Sequence, residues 1–311
     1  MGAFRAALLL PGQDDPRTSV IDDLATYFGL SAAECLDRCV NWEKYSLEEW
    51  YAAPRDTTAG IHDFYANVRS WAFDLLWFAY LQAEGYAYPV SVVIARAMGR
   101  RNDCPSHLDF GSGVGVTSQL FAALGYETTL ADVSTPLLEF ASFRLERRGL
   151  RASYLDLSTS GLPRRRFSVV TAIDTLVHVP EVGETSAALH RAIEPHGVLW
   201  ANFDTRPKTY ENAWHLYADD LPLRWKLHRA GFEPRAAHDG MITRYERIDP
   251  ATVAHRLRGA RDAVLLRGPA RPAYRRIRHR ILPAVLSTLK EPRERAAKRG
   301  GAQEIAPRVE R

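Results

Sequence analysis

The chain of 311 residues is poor in cysteine and has no long hydrophobic run. Three cysteines are an odd number and too few for a disulfide framework, so we expect a cytoplasmic protein in a reducing compartment. Cys35 and Cys39 could share a helix face, but no second pair of Cys or His ligands is nearby, so we predict no metal site. The most apolar stretch, WAFDLLWFAYL, contains Asp74 and falls short of the roughly 20 residues that span a bilayer. The apolar run 6–10 is likewise too short for a signal peptide, so we predict neither a signal peptide nor a transmembrane segment.

Acidic side chains are scarce at the end of the chain. From residue 251 onward there are 16 Lys and Arg against 5 Asp and Glu, a net charge of +11, whereas residues 1–250 carry a net charge of −7. Tyr274 begins an apolar pattern of helical spacing that continues to Leu289, and the final segment EPRERAAKRGGAQEIAPRVER has the composition of a disordered chain. We therefore predict a basic C-terminal extension over 251–311, partly helical and partly disordered, which suits an anionic surface or partner.

The first hundred residues have a mostly helical pattern. Ser31 and Glu34 have the spacing of a capping box, which predicts that a helix begins there. Apolar residues at near-helical spacing predict one further helix over 63–86 that ends near Gly85. We interpret residues 1–104 as a helical N-terminal cap or lid.

From residue 105 to about 250 short apolar runs alternate with helical stretches. The predicted strands are SHLDF, ETTLAD, ASYLDL, FSVVTAI, GVLWANF and ITRYERI, and helical segments separate several of them. Such alternation predicts an α/β, doubly wound, mostly parallel sheet with helices on both faces.

The segment HLDFGSGVGV carries three glycines in five positions directly after the first predicted strand. A glycine turn between a strand and a helix lets a ligand approach the backbone N–H groups. Gly111, Gly113 and Gly115 give the pattern G-x-G-x-G, which differs from the G-x-G-x-x-G of dinucleotide sites, and no Gly-Lys-Ser/Thr follows. Asp109 would repel a pyrophosphate but attract a sulfonium or ammonium group.

LDFGSGVG resembles the first motif of class I S-adenosylmethionine-dependent methyltransferases. Further segments resemble that family in the same order, namely the second-strand end LAD, the third strand SYLDL, AIDTLVHVPE after the fourth strand, LHRAIEPHGVLW before the fifth and WKLHRAGFEP before the sixth. The resemblance covers residues 105–250 and implies a Rossmann-like domain with seven strands. It departs from the family at His196, which replaces a glycine in the turn before the fifth strand.

The resemblance implies S-adenosyl-L-methionine as the cofactor and a set of cofactor-binding residues. Asp132 matches the acid that binds the ribose hydroxyls, with Val133 beside it. Asp156 matches the acid that binds the adenine amino group, with Leu157 next to the base. The remaining residues assigned to the cofactor site are Asp109, Gly111, Gly113, Gly115, Asp174 and, from a looser similarity of the preceding helices, Tyr65.

Methyl transfer to a protonated acceptor also requires a base. Candidates at the carboxyl ends of the fourth and fifth strands are His178 and His215, with Asp174, Asp204 and His196 as alternatives. We predict His178 and His215 as the catalytic residues, and an O, N or C atom of a small molecule, including an apolar or aromatic metabolite, as the acceptor.

Two other functions compete with this interpretation. A nucleic-acid methyltransferase could use the basic tail as a phosphate grip. However, the strand-four segment IDTLVHV lacks both the Asn/Asp-Pro-Pro-Tyr/Phe signature and a nucleophilic cysteine, which argues against nucleic acid. A non-catalytic scaffold that binds S-adenosylmethionine is supported by the absence of an unambiguous base. For the basic tail, an anionic membrane surface would imply peripheral membrane association.

Overall fold

The computed structural model describes residues 1–54, 56–99, 105–205, 209, 214–248, 253–267 and 270–276. Its contacts divide the chain into two compact units, Met1–Arg256 and Leu257–Arg311. The first unit holds the helical N-terminal region and the whole sheet. The second contains most of helix α12 (Val253–Arg267) and helix α13 (Ala270–Arg276). The predicted apolar pattern up to Leu289 and the predicted disordered end lie outside the described residues.

The helical N-terminal region predicted from the sequence is present. Among the described residues before the first strand, the helices are α1 (Gly2–Leu8), α2 (Pro16–Phe28), α3 (Ala32–Val40), α4 (Trp42–Ala52), α5 (Thr58–Asn67), α6 (Trp71–Ala83) and α7 (Val90–Met98). Ser31 and Glu34 form the predicted capping box at the start of α3. Asp15 caps α2 by accepting hydrogen bonds from the N–H groups of Arg17 and Thr18.

The prediction of one helix over 63–86 is wrong, because the helix is interrupted between α5 and α6. Val68 has an extended backbone (φ −59°, ψ 133°) where the continuous helix would run. The carboxylate of Glu49 on α4 accepts hydrogen bonds from the N–H groups of Arg69 at 3.0 Å and Ser70 at 2.9 Å. A side chain distant in sequence thus satisfies N–H groups that helical periodicity would assign to an unbroken helix.

The sheet has the predicted α/β architecture. Its strands are β1 (Ser106–Phe110), β2 (Glu127–Asp132), β3 (Ser153–Asp156), β4 (Phe167–Ala172), β5 (Ile193–Ala201), β6 (Phe232–His238) and β7 (Ile242–Arg247). They form one seven-stranded sheet in the order β3-β2-β1-β4-β5-β7-β6. The pairs from β3 to β5 are parallel, whereas β7 is antiparallel to both β5 and β6. Strand β5 begins earlier than predicted, at Ile193, and His196 within it adopts φ 66°, so this histidine takes a glycine-like backbone conformation.

The connections between strands position the carboxyl ends of β1, β2 and β4 on one edge. They are α8 (Val116–Ala123), α9 (Thr135–Glu146), the 3-10 turn Leu176–His178, α10 (Val182–Ala192) and α11 (Leu221–Arg229). Strand β1 lies between β2 and β4. Strands β2 and β3 are added on one side of β1 and β4 and β5 on the other, so the order of strand addition reverses at β1. In doubly wound sheets, ligands bind at this reversal, outside the carboxyl ends of the strands.

The N-terminal helices and the sheet region share a hydrophobic core. Leu24 of α2 and Phe73 of α6 belong to the same buried cluster as Val114 of the glycine loop and Phe140 of α9. Burying a side chain of this size contributes roughly 1.5–3 kcal/mol. The division at residue 104 remains a prediction, but the cap and the sheet pack into one unit.

Cys35 and Cys39 lie in this core, where burial raises the pKa of the Cys39 thiol to about 12. Within the described residues no helix is both long and apolar enough to cross a membrane.

Candidate active site

The glycine loop connects β1 to α8 and has no room for side chains. Gly111 and Gly113 have φ values of 70° and 50°, in the left-handed region that favours glycine. A Cβ on Gly111 would lie 2.1 Å from Cγ2 of Thr175, and one on Gly113 would lie 2.7 Å from Cδ1 of Leu75. The loop backbone therefore runs close to the turn after β4 and to helix α6 of the cap.

Asp109 is buried at the end of β1, directly before this loop. Its carboxylate accepts hydrogen bonds from the hydroxyl of Ser118 at 2.8 Å, the N–H of Ser118 at 3.1 Å and the hydroxyl of Thr171 at 2.8 Å. Burial raises the pKa of Asp109 to about 6, although these hydrogen bonds favour the ionised form. In the structure Asp109 anchors α8 to the sheet, and its predicted role towards the cofactor remains a prediction.

Asp132 at the end of β2 holds the glycine loop from the opposite side. Its carboxylate accepts a hydrogen bond from the N–H of Gly113 at 2.8 Å and another from the N–H of Ser134 at 2.9 Å, one on each oxygen. The backbone N–H of Val133 also favours the ionised form, and a carboxylate offers about four acceptor positions in all. Burial raises the pKa of Asp132. Val133, next in the chain, packs against the core that the cap shares with α9.

Asp156 lies beside Asp132, because β2 and β3 pair these two residues directly. Its carboxylate accepts hydrogen bonds from the hydroxyl of Thr135 and the N–H of Ser158, both at 2.8 Å. A hydrogen bond from the Ser158 hydroxyl is the main cause that lowers its pKa. The N–H of Leu157 donates to the carbonyl oxygen of Asp132 at 2.8 Å. The three residues assigned to the ribose and adenine are therefore contiguous in space.

Asp174 follows β4 and is paired with a residue that the sequence interpretation missed. Its N–H donates to Oδ1 of Asn202 at 2.7 Å, and the Asn202 amide donates back to the Asp174 carboxylate. Asp174 itself is exposed and has φ 52°. The signal for Asn202 was its place as the first polar residue after the apolar run of β5.

The structure brings His178, His215 and Tyr65 together. The His178 and His215 rings are 5.2 Å apart, and the hydroxyl of Tyr65 lies 3.3 Å from Nδ1 of His178. The carbonyl oxygen of Trp214 accepts hydrogen bonds from Nδ1 of His178 and from the Tyr65 hydroxyl, both at 3.0 Å. The N–H of Leu216 donates to the carbonyl of Val177 at 3.1 Å, which holds the His215 segment against the turn after β4.

The protonation of His178 follows from these contacts. Its Nδ1 faces a carbonyl oxygen, which only accepts, so the hydrogen-bond network assigns the proton to Nδ1 and leaves Nε2 as an acceptor. Burial, with a smaller effect from His215, lowers the pKa of His178 to about 4. The imidazole is therefore neutral at pH 7, with Nε2 unprotonated.

Aromatic side chains of the cap surround this group. The Trp71 ring lies 5.6 Å from that of His178 and 6.4 Å from that of Trp214. The sequence interpretation missed Trp214, Trp50 and Trp42, since nothing in their local pattern distinguishes them from ordinary core residues. Trp50 and Trp42 lie 6.5 and 6.3 Å from Trp214.

One alternative candidate for the base lies away from this aromatic group. His196 is exposed near the amino end of β5, away from the edge of the sheet that carries the glycine loop. Within the described residues, no group of three His, Cys, Asp or Glu side chains is arranged to hold a metal ion.

These features fit an S-adenosyl ligand. The strand order 3-2-1-4-5-7-6, a glycine loop that any Cβ would fill, and a buried carboxylate at the end of β2 are features of a Rossmann-like fold of the class I methyltransferase type. With the motifs in register along 105–250, this region resembles the class I S-adenosylmethionine-dependent methyltransferases in fold and in sequence.

Comparisons with known proteins agree with that class. Residues 108–201 match the family model described as "Methyltransferase domain". The chain is 30% identical over 107 residues to "Ubiquinone biosynthesis O-methyltransferase" of Pseudomonas syringae pv. tomato, covering 33% of this chain and 46% of that one. It is 28% identical over 158 residues to the protein of the same name from Nitrosomonas europaea, covering 49% and 61%. The chain thus spans about half the length of the curated relatives it matches.

Among solved structures, the chain is similar to a TehB-like SAM-dependent methyltransferase from Corynebacterium glutamicum. The identity is 16% and the TM-score 0.43, over 55% of this chain and 94% of that one. The assignment of the fold rests on the strand order and the glycine loop of the chain itself.

Proposed function

We propose that this protein transfers a methyl group from S-adenosyl-L-methionine to a small-molecule acceptor. The observation that carries the proposal is the placement of Asp132 against the glycine loop, at the point where the sheet reverses direction. A carboxylate at this point suits the paired hydroxyls of a ribose, because it has more acceptor positions than a neutral side chain and forms charge-assisted hydrogen bonds.

One group of residues forms the proposed cofactor site. Asp132 binds the ribose hydroxyls, Asp156 and Leu157 bind the adenine, and the loop from Gly111 to Gly115 approaches the methionine part. Val133, Asp109, Asp174 and Tyr65 complete the cofactor site. When bound, S-adenosyl-L-methionine supplies an electrophilic methyl group, and alignment and exclusion of water account for much of the catalysis.

The aromatic group around His178 and His215 suits an apolar or aromatic acceptor. The rings of Tyr65 and Trp71 lie 5.9 and 5.6 Å from that of His178, and the Trp214 ring lies 6.4 Å from that of His215. The relatives' name, O-methyltransferase, supports an oxygen acceptor for this chain as well. A hydroxyl acceptor must lose its proton, and Nε2 of His178, or His215 beside it, is the base that accepts it.

Calorimetry with S-adenosylhomocysteine tests the cofactor site, and methyl transfer to a panel of phenols, amines and carbon acids tests the activity. We expect binding by the wild type and its large reduction in Asp132→Ala. Wild-type protein that binds neither S-adenosylhomocysteine nor S-adenosylmethionine would contradict the proposal. Transfer to any acceptor would eliminate the non-catalytic scaffold, and absence of RNA or DNA binding at low salt would eliminate the nucleic-acid methyltransferase.

We further propose that the protein is cytoplasmic. We also propose that its basic C-terminal extension binds an anionic membrane surface. Val253, Leu257 and Val264 are exposed and lie at i, i+4 and i+11 of α12, which places them on one helix face. Exposed Arg256 and Arg261 flank this face. An apolar face between arginines is typical of helices that lie in a membrane interface.

Vesicle sedimentation tests the membrane proposal. We expect binding to phosphatidylglycerol vesicles, weaker binding in Leu257→Ser, and little binding to phosphatidylcholine vesicles. Equal sedimentation with both vesicle types would contradict an electrostatic surface interaction.

A further inference from the structure

Arg144 of α9 is fully buried, which is unusual for a charged side chain. Its exposed fraction is 0%, and burial lowers its pKa to about 10, so it stays charged at neutral pH. Burying a guanidinium costs free energy unless each donor is well paired. The partners of Arg144 are therefore informative.

The guanidinium joins three separate parts of the molecule. Nη1 donates to the carbonyl oxygen of Val114, the residue between Gly113 and Gly115, at 2.5 Å. Nη2 donates to Oε1 of Gln119 on α8 at 2.6 Å, and Nε donates to the carboxylate of Asp23 on α2 at 3.3 Å. One side chain thus links the glycine loop to the helical cap.

The cap side of this link is itself a network. Asp23 is fully buried and also pairs with Arg147 and Arg148, each at 2.8 Å. The Gln119 side-chain amide donates to the carbonyl oxygen of Ala7 on α1. Arg148 donates to the carbonyl oxygen of Leu8 at 2.7 Å, so both α1 and α2 are tied to α8 and α9.

The loop side needs this support because glycines have no side chains to hold them in place. The N–H of Gly113 donates to Asp132, and the carbonyl oxygen of the following residue, Val114, accepts from Arg144. The two contacts lie at the two ends of the Gly113–Val114 dipeptide. Together they set the path of the loop and the orientation of the Asp132 carboxylate relative to it.

We infer that Arg144 is a positioning residue that couples the seating of the helical cap to the shape of the glycine loop, so that affinity for an S-adenosyl ligand depends on Asp23 in the cap. This inference rests on the proposed function for the ligand it names. The coupling acts through backbone geometry, since neither Arg144 nor Asp23 belongs to the set that contacts the cofactor.

The experiment compares Arg144→Lys, Asp23→Asn, the double variant and the control Arg147→Gln. Lysine keeps the charge but lacks the planar fork that reaches Val114, Gln119 and Asp23 together. Arg147 also pairs with Asp23 but is partly exposed, and its second ion pair is with Asp22 on the same cap helix. The measurements are the dissociation constant of S-adenosylhomocysteine by calorimetry and amide hydrogen exchange of the ligand-free loop, peptide 109–118.

We expect Arg144→Lys to raise the dissociation constant roughly 5- to 150-fold, the usual range of coupling between sites, and Asp23→Asn to act in the same direction. The double variant should bind S-adenosylhomocysteine no more weakly than the weaker-binding single variant, because the two substitutions remove the same link. Exchange in peptide 109–118 should accelerate in both variants, while Arg147→Gln stays within about twofold of the wild type in both measurements.

Folded Arg144→Lys with wild-type affinity and wild-type exchange would overturn the inference. If Arg144→Lys does not fold, Asp23→Asn and Gln119→Met decide by the same two measurements. If the wild type binds no S-adenosylhomocysteine, the proposed function fails. In that case faster loop exchange in Arg144→Lys still supports the positioning role, and unchanged exchange overturns it.

Discussion

Thr175 lies directly against Gly111, so that a Cβ placed on the glycine would lie 2.1 Å from Cγ2 of the threonine. The Thr175 hydroxyl also donates to the carbonyl oxygen of Phe110 at 3.1 Å, which holds the turn after β4 against the end of β1. The close approach of these two segments requires glycine at position 111.

Gly111→Ala should therefore destabilise the protein more than Gly125→Ala. Both glycines have positive φ, 70° and 87°, which costs an alanine about 1–2 kcal/mol, but nothing lies within 4 Å of a Cβ on Gly125. Overpacking against Thr175 adds roughly 1–3 kcal/mol at position 111. Urea unfolding measures both variants, and equal losses would show that Thr175 moves away freely.

Asp132→Asn should weaken binding of S-adenosylhomocysteine more than Asp156→Asn. Asparagine keeps one acceptor oxygen but loses the charge, and each hydrogen bond to a charged group contributes roughly 1.5–3 kcal/mol. We expect a loss of about 10- to 100-fold for Asp132→Asn by calorimetry. Asp156 is more exposed than Asp132, so Asp156→Asn should lose less affinity. A larger loss in Asp156→Asn would show that the acid of β3 contributes more to binding than the acid of β2.

Asp74→Asn should stabilise the protein in a pH-dependent way. Burial, together with the charge of Glu43, raises the pKa of Asp74 to about 7. The folded protein therefore binds this proton more tightly than the unfolded chain does, and wild-type stability falls as pH rises from about 4 to about 7. The gain in Asp74→Asn should be near zero at pH 4 and on the order of 1–3 kcal/mol at pH 8.

Thermal unfolding at the two pH values measures this difference, with the exposed Asp14→Asn as the control. A gain that is the same at pH 4 and pH 8 would show that the carboxylate is not desolvated in the folded state.

His178→Gln should lower kcat by about 10²- to 10⁴-fold if His178 is the base. Because its pKa is lowered to about 4, the wild-type imidazole stays unprotonated through the range in which an ordinary histidine gains its proton. The acid limb of kcat/KM should thus show no inflection near pH 6.5 and should fall only near pH 4. His190→Gln, outside the aromatic group, is the control. An inflection of the kcat/KM profile near pH 6.5 would show that a group other than His178 is the base.

Glu49→Ala should destabilise the protein by roughly 1–3 kcal/mol, because it leaves the N–H groups of Arg69 and Ser70 without their acceptor. Glu48→Ala, an exposed neighbour on the same helix, should have little effect. Chemical unfolding of the two variants provides the measurement, and equal stabilities would show that water replaces the carboxylate.

The strands beside the glycine loop were predictable from the sequence. SHLDF and ETTLAD coincide with β1 and β2, since buried parallel strands are short apolar runs bounded by turn residues. The break at Val68 was not predictable, because its cause is a carboxylate some twenty residues away. Likewise, the capping box at Ser31 is local and was predicted, whereas the contact of Trp214 with His178 joins segments 36 residues apart.

The sequence by itself determined the class of fold, the glycine loop and the order of the acids Asp109, Asp132 and Asp156, because each depends on spacing within a short segment. Only the tertiary structure decided that Asp109 anchors α8, that His178 and His215 share an aromatic environment, and that Arg144 links the cap to the loop. Those relationships depend on which distant segments the hydrophobic core brings together, and burial then sets the pKa values and the pairing of the charged groups.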